Sequence, residues 1–444
     1  MAVSSGSTRT RVIGLLAVAA LLLIGGITFL AVRSSDGEAS GTEARPSSAP
    51  APSSTSESAP PPRTGPVEVR YVAPSATGAG DGSSWADAGE LADVPDLLDQ
   101  LPAAGEIWLR ADTGPYEVSG SLRITASGVD GAPVVVRGVD AEGAPLPAVL
   151  QGSRTTPYDP DGESGGDVFS LRGGASHLAF RDLALENVDN AFLAAGDVTD
   201  VVIADVSATN VRRFFENTKS DEEPSANVSE LVIRNVTVTG FSKRVVRLRY
   251  ESNDVLLEDV VGDSQQQDGD DFAIGVHLED EVHDVMLRRV SMSNTRDSLH
   301  EYWNGDGFAT ERGVHDITFE DTTATGNTDA GYDLKSSATT LVNAVASDNK
   351  RNFRFWADDL VARDCVGEDP LKRGGSSSQA QVWLGEDAQV LLEGCSLSDD
   401  DPETVVFVLE SGAQLTMDGG DIEHAGELEA LQQGSDVELR DVVQ

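Results

Sequence analysis

The stretch "NTDAGYDLK", Asn327 to Lys335, sets two carboxylates, an amide, an aromatic ring and an ammonium group within nine residues. Carboxylates so placed can ligate a hard cation, and a lysine beside them attracts an anionic substrate. The same residue types also build turns, where Asp and Asn side chains hydrogen-bond to nearby backbone. The elements that carry the stretch decide between these roles.

The chain of 444 residues carries 75 Asp and Glu against 32 Lys and Arg, a formal charge of −43. So acidic a balance argues against a nucleic-acid partner, which needs a basic face to displace counterions from phosphates. The two cysteines lack the spacing of a zinc site, and the six histidines form no ligand motif.

The N-terminus has its own organisation. Arg9 and Arg11 precede an uncharged apolar run, Val12 to Val32, long enough to cross a bilayer as a helix. Arginines before such a run favour an inside N-terminus with the remainder outside. The expectation for 1–33 is therefore a single-pass cell-membrane anchor; a cleaved secretion signal is the other reading. Residues 34–66 are rich in Ser, Pro and Ala, cannot bury a core, and are expected to form a disordered linker.

A repeat organises 67–444. Short alternating runs recur, each closed by Asp, Asn or Gly: "FRDLALEN", "IADVSATN", "IRNVTVTG", "LEDVVGDS", "LRRVSMSN", "FEDTTATG", "VNAVASDN", "ARDCVGED" and "LEGCSLSD". They supply a column of Leu183, Val206, Val236, Val260, Val290, Thr322, Ala344 or Val345, Cys365 and Cys395, with steps of roughly 20 to 32 residues. Two-residue alternation between turn residues at such a period predicts a right-handed parallel β-helix, each coil stacked on the last. Residues 67–140 read as its N-terminal cap and first coils, with a short helix over the open end. Cys365 and Cys395 share the column as stacked small core residues; a disulfide is the alternative in an exported chain.

Beyond the column, one turn gathers cations: Arg212, Arg213, Lys243, Arg244, Arg296, Lys350, Arg351, Lys372 and Arg373, with Asp329 interrupting them. Equal offsets place them on one edge, where an acidic polysaccharide would lie; the other reading is that they balance nearby acids. The next strand aligns Phe192, Phe215, Phe272, Phe308, Tyr332 and Phe353 as an inward stack. Alternation then turns Ala309, Asp333 and Arg354 outward, with Lys335 and Trp356 two residues further on. Lys335, beside Asp333, is a candidate base.

"NGDGFATE" (304–311), "NTDAGYDL" (327–334) and "RNFRFWA" (351–357) together resemble the site motifs of the family 9 polysaccharide lyases, pectate-lyase-type parallel β-helix enzymes. The resemblance implies Ca²⁺-assisted β-elimination of a uronide. It makes Asp306, Asp329 and Asp333 the expected calcium ligands and puts Arg354 at the base position. Two positions depart from the pattern: Ala330 replaces the second acid of a paired "DD", and Arg354 replaces a lysine. A site altered in this way also fits a surface β-helix protein that binds a glycan without cutting it.

Overall fold

The structure, a computed structural model, describes residues 67–444. The anchor and linker segments, 1–33 and 34–66, lie outside the described residues. Among the described residues no helix is long and apolar enough to cross a membrane.

The coils form because each run alternates apolar and polar residues and then meets a residue that tolerates a left-handed backbone. Asp182, Asp205, Asn235, Asp259, Asp321, Asn343 and Asp364, the third or second residues of the repeat blocks, all have φ between 51° and 58°. Asp and Asn adopt this conformation at low cost, so the chain bends at the same point in every turn of the solenoid. The resulting strands pair in parallel with the equivalent strand one coil on, as in Val198–Asn217 with Val228–Leu248 and Ala330–Leu334 with Arg351–Phe355. The fold is the expected parallel β-helix. The short helix Val94–Leu98 packs its buried Val94, Leu97 and Leu98 at the N-terminal end, against Glu106–Arg110 and Leu122–Ile124.

The column holds in register. Leu183 pairs with Val206, Val206 with Val236, Val236 with Val260, and Val260 with Val290. Thr323 pairs with Val345 and Val345 with Val366, so Ala344 rather than Val345 sits in line with Cys365. All of these residues except Thr323, Val345 and Val366 are buried, and neighbouring coils shield one another's inner face from water.

Cys365 and Cys395 are joined by a disulfide, with Cα atoms 4.5 Å apart. This corrects the simpler expectation of two stacked thiols: successive coils bring the two side chains within bonding distance. Closing a loop of this length restricts the unfolded chain by about 3–4 kcal/mol. Cys365→Ser with Cys395→Ser is accordingly expected to lower the urea midpoint and to raise the slope, because the freed unfolded chain exposes more surface, measured by circular dichroism.

The aromatic stack is real but shorter than expected. Phe308, Tyr332 and Phe353 stack with ring centroids 4.9 and 5.4 Å apart. Phe272 does not join them. It is 42% exposed and meets Tyr302 edge-on. Val276 pairs with Phe308 in its place, because the turn before that strand, 264–273, is longer than the turns 326–329 and 348–350 before the Tyr332 and Phe353 strands and leaves Phe272 on the surface.

Candidate functional site

Three successive strands, Asp306–Thr310, Ala330–Leu334 and Arg351–Phe355, build the site. Their inner side chains are fixed by the aromatic stack. A buried amide ladder fixes the turn before them: Asn327 Nδ2 donates to Asn349 Oδ1 at 2.8 Å, and Asn327 Oδ1 accepts from Thr295 Oγ1 at 2.7 Å. Asn327 is thus structural, and its ladder holds Asp329 and Ala330 in place.

The outward row runs Glu216, Arg247, His277, Ala309, Asp333, Arg354 and Trp383 on successive coils. Asp333 and Arg354 are therefore cross-strand neighbours, as alternation requires. Arg354 Nη1 lies 3.3 Å from Asp329 Oδ2 and 3.6 Å from Asp333 Oδ2, bridging the two acids. Trp356 Nε1 donates to Asp333 Oδ1 at 2.7 Å, and the Arg354 guanidinium stacks on the Trp356 ring at 4.7 Å. Lys335 Nζ reaches Glu311 at 2.8 Å and Asp333 at 3.6 Å. Arg351 pairs with Asp329, with Lys350 Nζ 3.8 Å from the same carboxylate, and stacks on Trp383 at 4.6 Å.

Asp306 is 1% exposed, and its Oδ1 accepts a hydrogen bond from the Ala330 N–H at 2.7 Å. Burial raises its pKa well above the ordinary range, and the charges of Asp333 and Asp329 raise it further. Ala330 pairs with Arg351 on the next coil. Its methyl group leaves the space beneath Arg351 free of a further carboxylate.

The two expected bases both hold their protons. Burial works to lower the pKa of Arg354, but Asp333, Asp329 and Asp306 outweigh it and the net shift is upward. Lys335 behaves likewise, with Asp333 and Glu311 overcoming burial. Such groups are suited to binding an anion rather than accepting a proton. Arg351 and Lys350 are shifted the other way, since burial outweighs the pull of Asp329.

Asp329 is the hub of this network. Asp329→Ala would leave Lys350 and Arg351, 3% and 4% exposed, without their shared carboxylate. Removing one partner from a buried charge network costs about 3–5 kcal/mol, so chemical denaturation of this variant is expected to show a large loss of stability.

The remaining turn cations do not form one free stripe. Arg212 pairs with Asp270 at 2.7 Å, and Arg213 with Asp189 at 3.1 Å and Glu216 at 3.2 Å. Arg244 is buried against His277, while Arg373 pairs with Asp348. Lys243 is half-buried, and burial with the neighbouring Arg244 pushes its pKa down to about 8. Lys372 is exposed. The coils differ in length, so equal sequence offsets do not give equal positions, and acids from adjacent coils neutralise most of these cations.

Sequence reasoning missed His277, Glu311 and Trp383. Placing Phe272 in the stack hid His277, which pairs directly with Ala309 and so belongs to the same outward row as Asp333. His277 Nε2 is 3.6 Å from Glu311 Oε1, and burial lowers its pKa. Glu311 falls to about 2, since its bonds to His277 and Lys335 overcome the effect of burial. Glu279, Asp280, Glu311, Arg312, Lys335 and Trp356 line a cavity of about 540 Å³ at this end of the site. Another cavity, of about 580 Å³, is walled largely by carboxylates, including Asp348, Asp369 and Asp399, and would repel an anionic polymer.

No family model matches the chain, and no curated protein matches it. Among solved structures, the A-module of the mannuronan C-5 epimerase AlgE4 from Azotobacter vinelandii is 15% identical over 75% of this chain and 91% of that one, with a TM-score of 0.50. The catalytic domain of a GH87 α-1,3-glucanase is 11% identical over 86% of this chain and 70% of that one, with a TM-score of 0.52. Pectate lyase Pel9A is 14% identical over 83% of this chain and 78% of that one; its TM-score of 0.36 is too low to bear on the site. What this chain has in common with the epimerase module and the glucanase domain is the parallel β-helix fold.

Proposed function

We propose that this chain is an enzyme acting on an acidic polysaccharide, and that it cleaves at a uronosyl residue by β-elimination. One observation carries the reading: Asp306, whose proton affinity burial raises well above the ordinary range, lies beside two carboxylates, Asp329 and Asp333, that are held among Arg351, Arg354 and Lys335. An acid and a base set apart by their surroundings can transfer two protons in one reaction.

The glycan lies across the outward faces of the three site strands, with Trp356 and Trp383 offering rings to the sugars. Arg354 and Lys335 hold the uronate carboxylate and stabilise the charge that develops on it. Asp333 takes the proton at the carbon next to that carboxylate. The freed electron pair forms the new C=C bond, the bond to the glycosidic oxygen breaks, and that oxygen takes the proton of Asp306.

Calcium has no step here, although the family motifs suggest it. Asp329 and Asp333 already share the Arg354 guanidinium, with Arg351, Lys350 and Lys335 adjacent. A divalent ion placed among these cations meets net repulsion, and the coordination shell that Ca²⁺ needs, of about six to eight oxygens, is not offered. In this reading Arg354 does the work of the metal. Attachment through 12–32, with the β-helix outside the cell, belongs to the same proposal.

The test incubates the protein with a panel of polyuronates and glycosaminoglycans, with and without a chelator, and follows near-ultraviolet absorbance. Unsaturated product should form at equal rates in both arms. Absence of absorbance across the panel sinks the elimination. New reducing ends without absorbance would point to hydrolysis by the same acids. Retained binding with neither product would make the chain a glycan-binding surface protein.

A further inference from the structure

The turns that precede strands Ile274–Leu278 and Asp306–Thr310 carry a second cluster that the proposed reaction does not use. Asp271, Asp297 and His300 each offer a ligand atom, and the three atoms all lie within 4.8 Å of one another. Asp297 is 1% exposed. Its Oδ2 accepts the Phe272 N–H at 2.8 Å, but its Oδ1 has no hydrogen-bond partner. A buried carboxylate oxygen without a donor is rare in folded proteins. Burial also raises the proton affinity of Asp297, so this oxygen calls for either a proton or a cation.

The geometry favours a cation. His300 Nδ1 and Asp271 Oδ1 are 3.1 Å apart. Two ligands bound tetrahedrally to Zn²⁺ at its usual bond lengths sit roughly 3.3 Å apart, so little movement is needed. An imidazole in the set selects a first-row transition dication over Ca²⁺ or Mg²⁺, which prefer oxygen alone. Asp271 and His300 are exposed, which gives an ion a way in. The backbone around Asp297 is held by the fold: its N–H donates to Thr328 Oγ1 at 3.3 Å, and the carbonyl of Ala273 accepts the Asp306 N–H at 3.1 Å.

We propose that Asp271, Asp297 and His300 bind one Zn²⁺ and that the ion ties the two turns together beside the candidate active site. The tie would set the Phe272–Tyr302 pair, 42% and 57% exposed with ring centroids 5.1 Å apart, as a fixed wall. The inference does not depend on the elimination chemistry.

The test uses the full chain without a histidine tag, stripped with a chelator and titrated with Zn²⁺ by calorimetry, with a parallel Ca²⁺ titration. One Zn²⁺ per chain is expected. Asp297→Asn and His300→Ala should each weaken binding by more than about 10-fold. His300 is exposed, so its variant should fold as the wild type does, checked by melting of the metal-free proteins. Loss of Zn²⁺ binding in a folded His300→Ala chain supports the site. Wild-type protein that binds no Zn²⁺ overturns it, as does unchanged affinity in His300→Ala. Stoichiometric Ca²⁺ binding that Zn²⁺ does not displace overturns it too.

Discussion

Asp306→Asn is expected to lower turnover by about 10²–10⁴-fold, the usual contribution of a positioned proton donor, and to leave the fold intact. Asn keeps the oxygen that accepts the Ala330 N–H and removes only the transferable proton. The stability of this variant should depend on pH in a distinctive way. Asp306 has a folded-state pKa raised above its ordinary 3.8, so the folded state binds its proton more tightly than the unfolded state does. Below the ordinary value both states are protonated and the group adds no pH dependence. As pH rises from there through the folded-state value, the wild type loses stability, because a buried carboxylate must ionise. Asn carries no such loss. The melting temperature of the variant relative to wild type should start near equality in acid and move in favour of the variant toward neutral pH. A flat difference across that range, or wild-type turnover in the variant, removes Asp306 from the acid role.

Arg354→Ala is expected to cost about 10²–10³-fold in kcat/KM, as removal of one preorganised donor to developing charge does elsewhere. Its structural cost should be small. Asp329 keeps Arg351 and Lys350, while Asp333 keeps Trp356 and Lys335, so neither carboxylate is left alone. The pairs that Arg354 itself makes are partly open to water, with its side chain 21% exposed, and such pairs contribute about 1 kcal/mol or less. Arg354→Lys restores the charge but not the fork that bridges both acids, so it should recover part of the activity only. Equal activity in wild type and Arg354→Ala would refute charge stabilisation by this residue. The contrast with Asp329→Ala is informative: that variant should lose stability first, and Arg354→Ala should lose rate first.

The fold was legible in the sequence, and so was part of the candidate site. Asp and Asn closing each run marked the left-handed bends, and the column from Leu183 to Cys395 marked the coil register. Both are local signals, since backbone preference and alternation act within a few residues. The adjacency of Asp333 and Arg354 followed from them because the turns before their strands, 326–329 and 348–350, are both short and differ by a single residue. The Phe272 assignment failed where a much longer turn, 264–273, interrupts the coil, and His277 was lost with it.

Sequence by itself determined a stacked parallel β-helix and the row on which Asp333 and Arg354 meet. Tertiary structure alone decided which cations are free, that burial raises the proton affinity of Asp306, that Cys365 and Cys395 are bonded, and that Asp297 faces Asp271 and His300. The physical reason is common to all four. Charge state, pairing and bonding depend on burial and on distances between coils that are far apart in the chain, and turn lengths that set those distances carry no periodic signal.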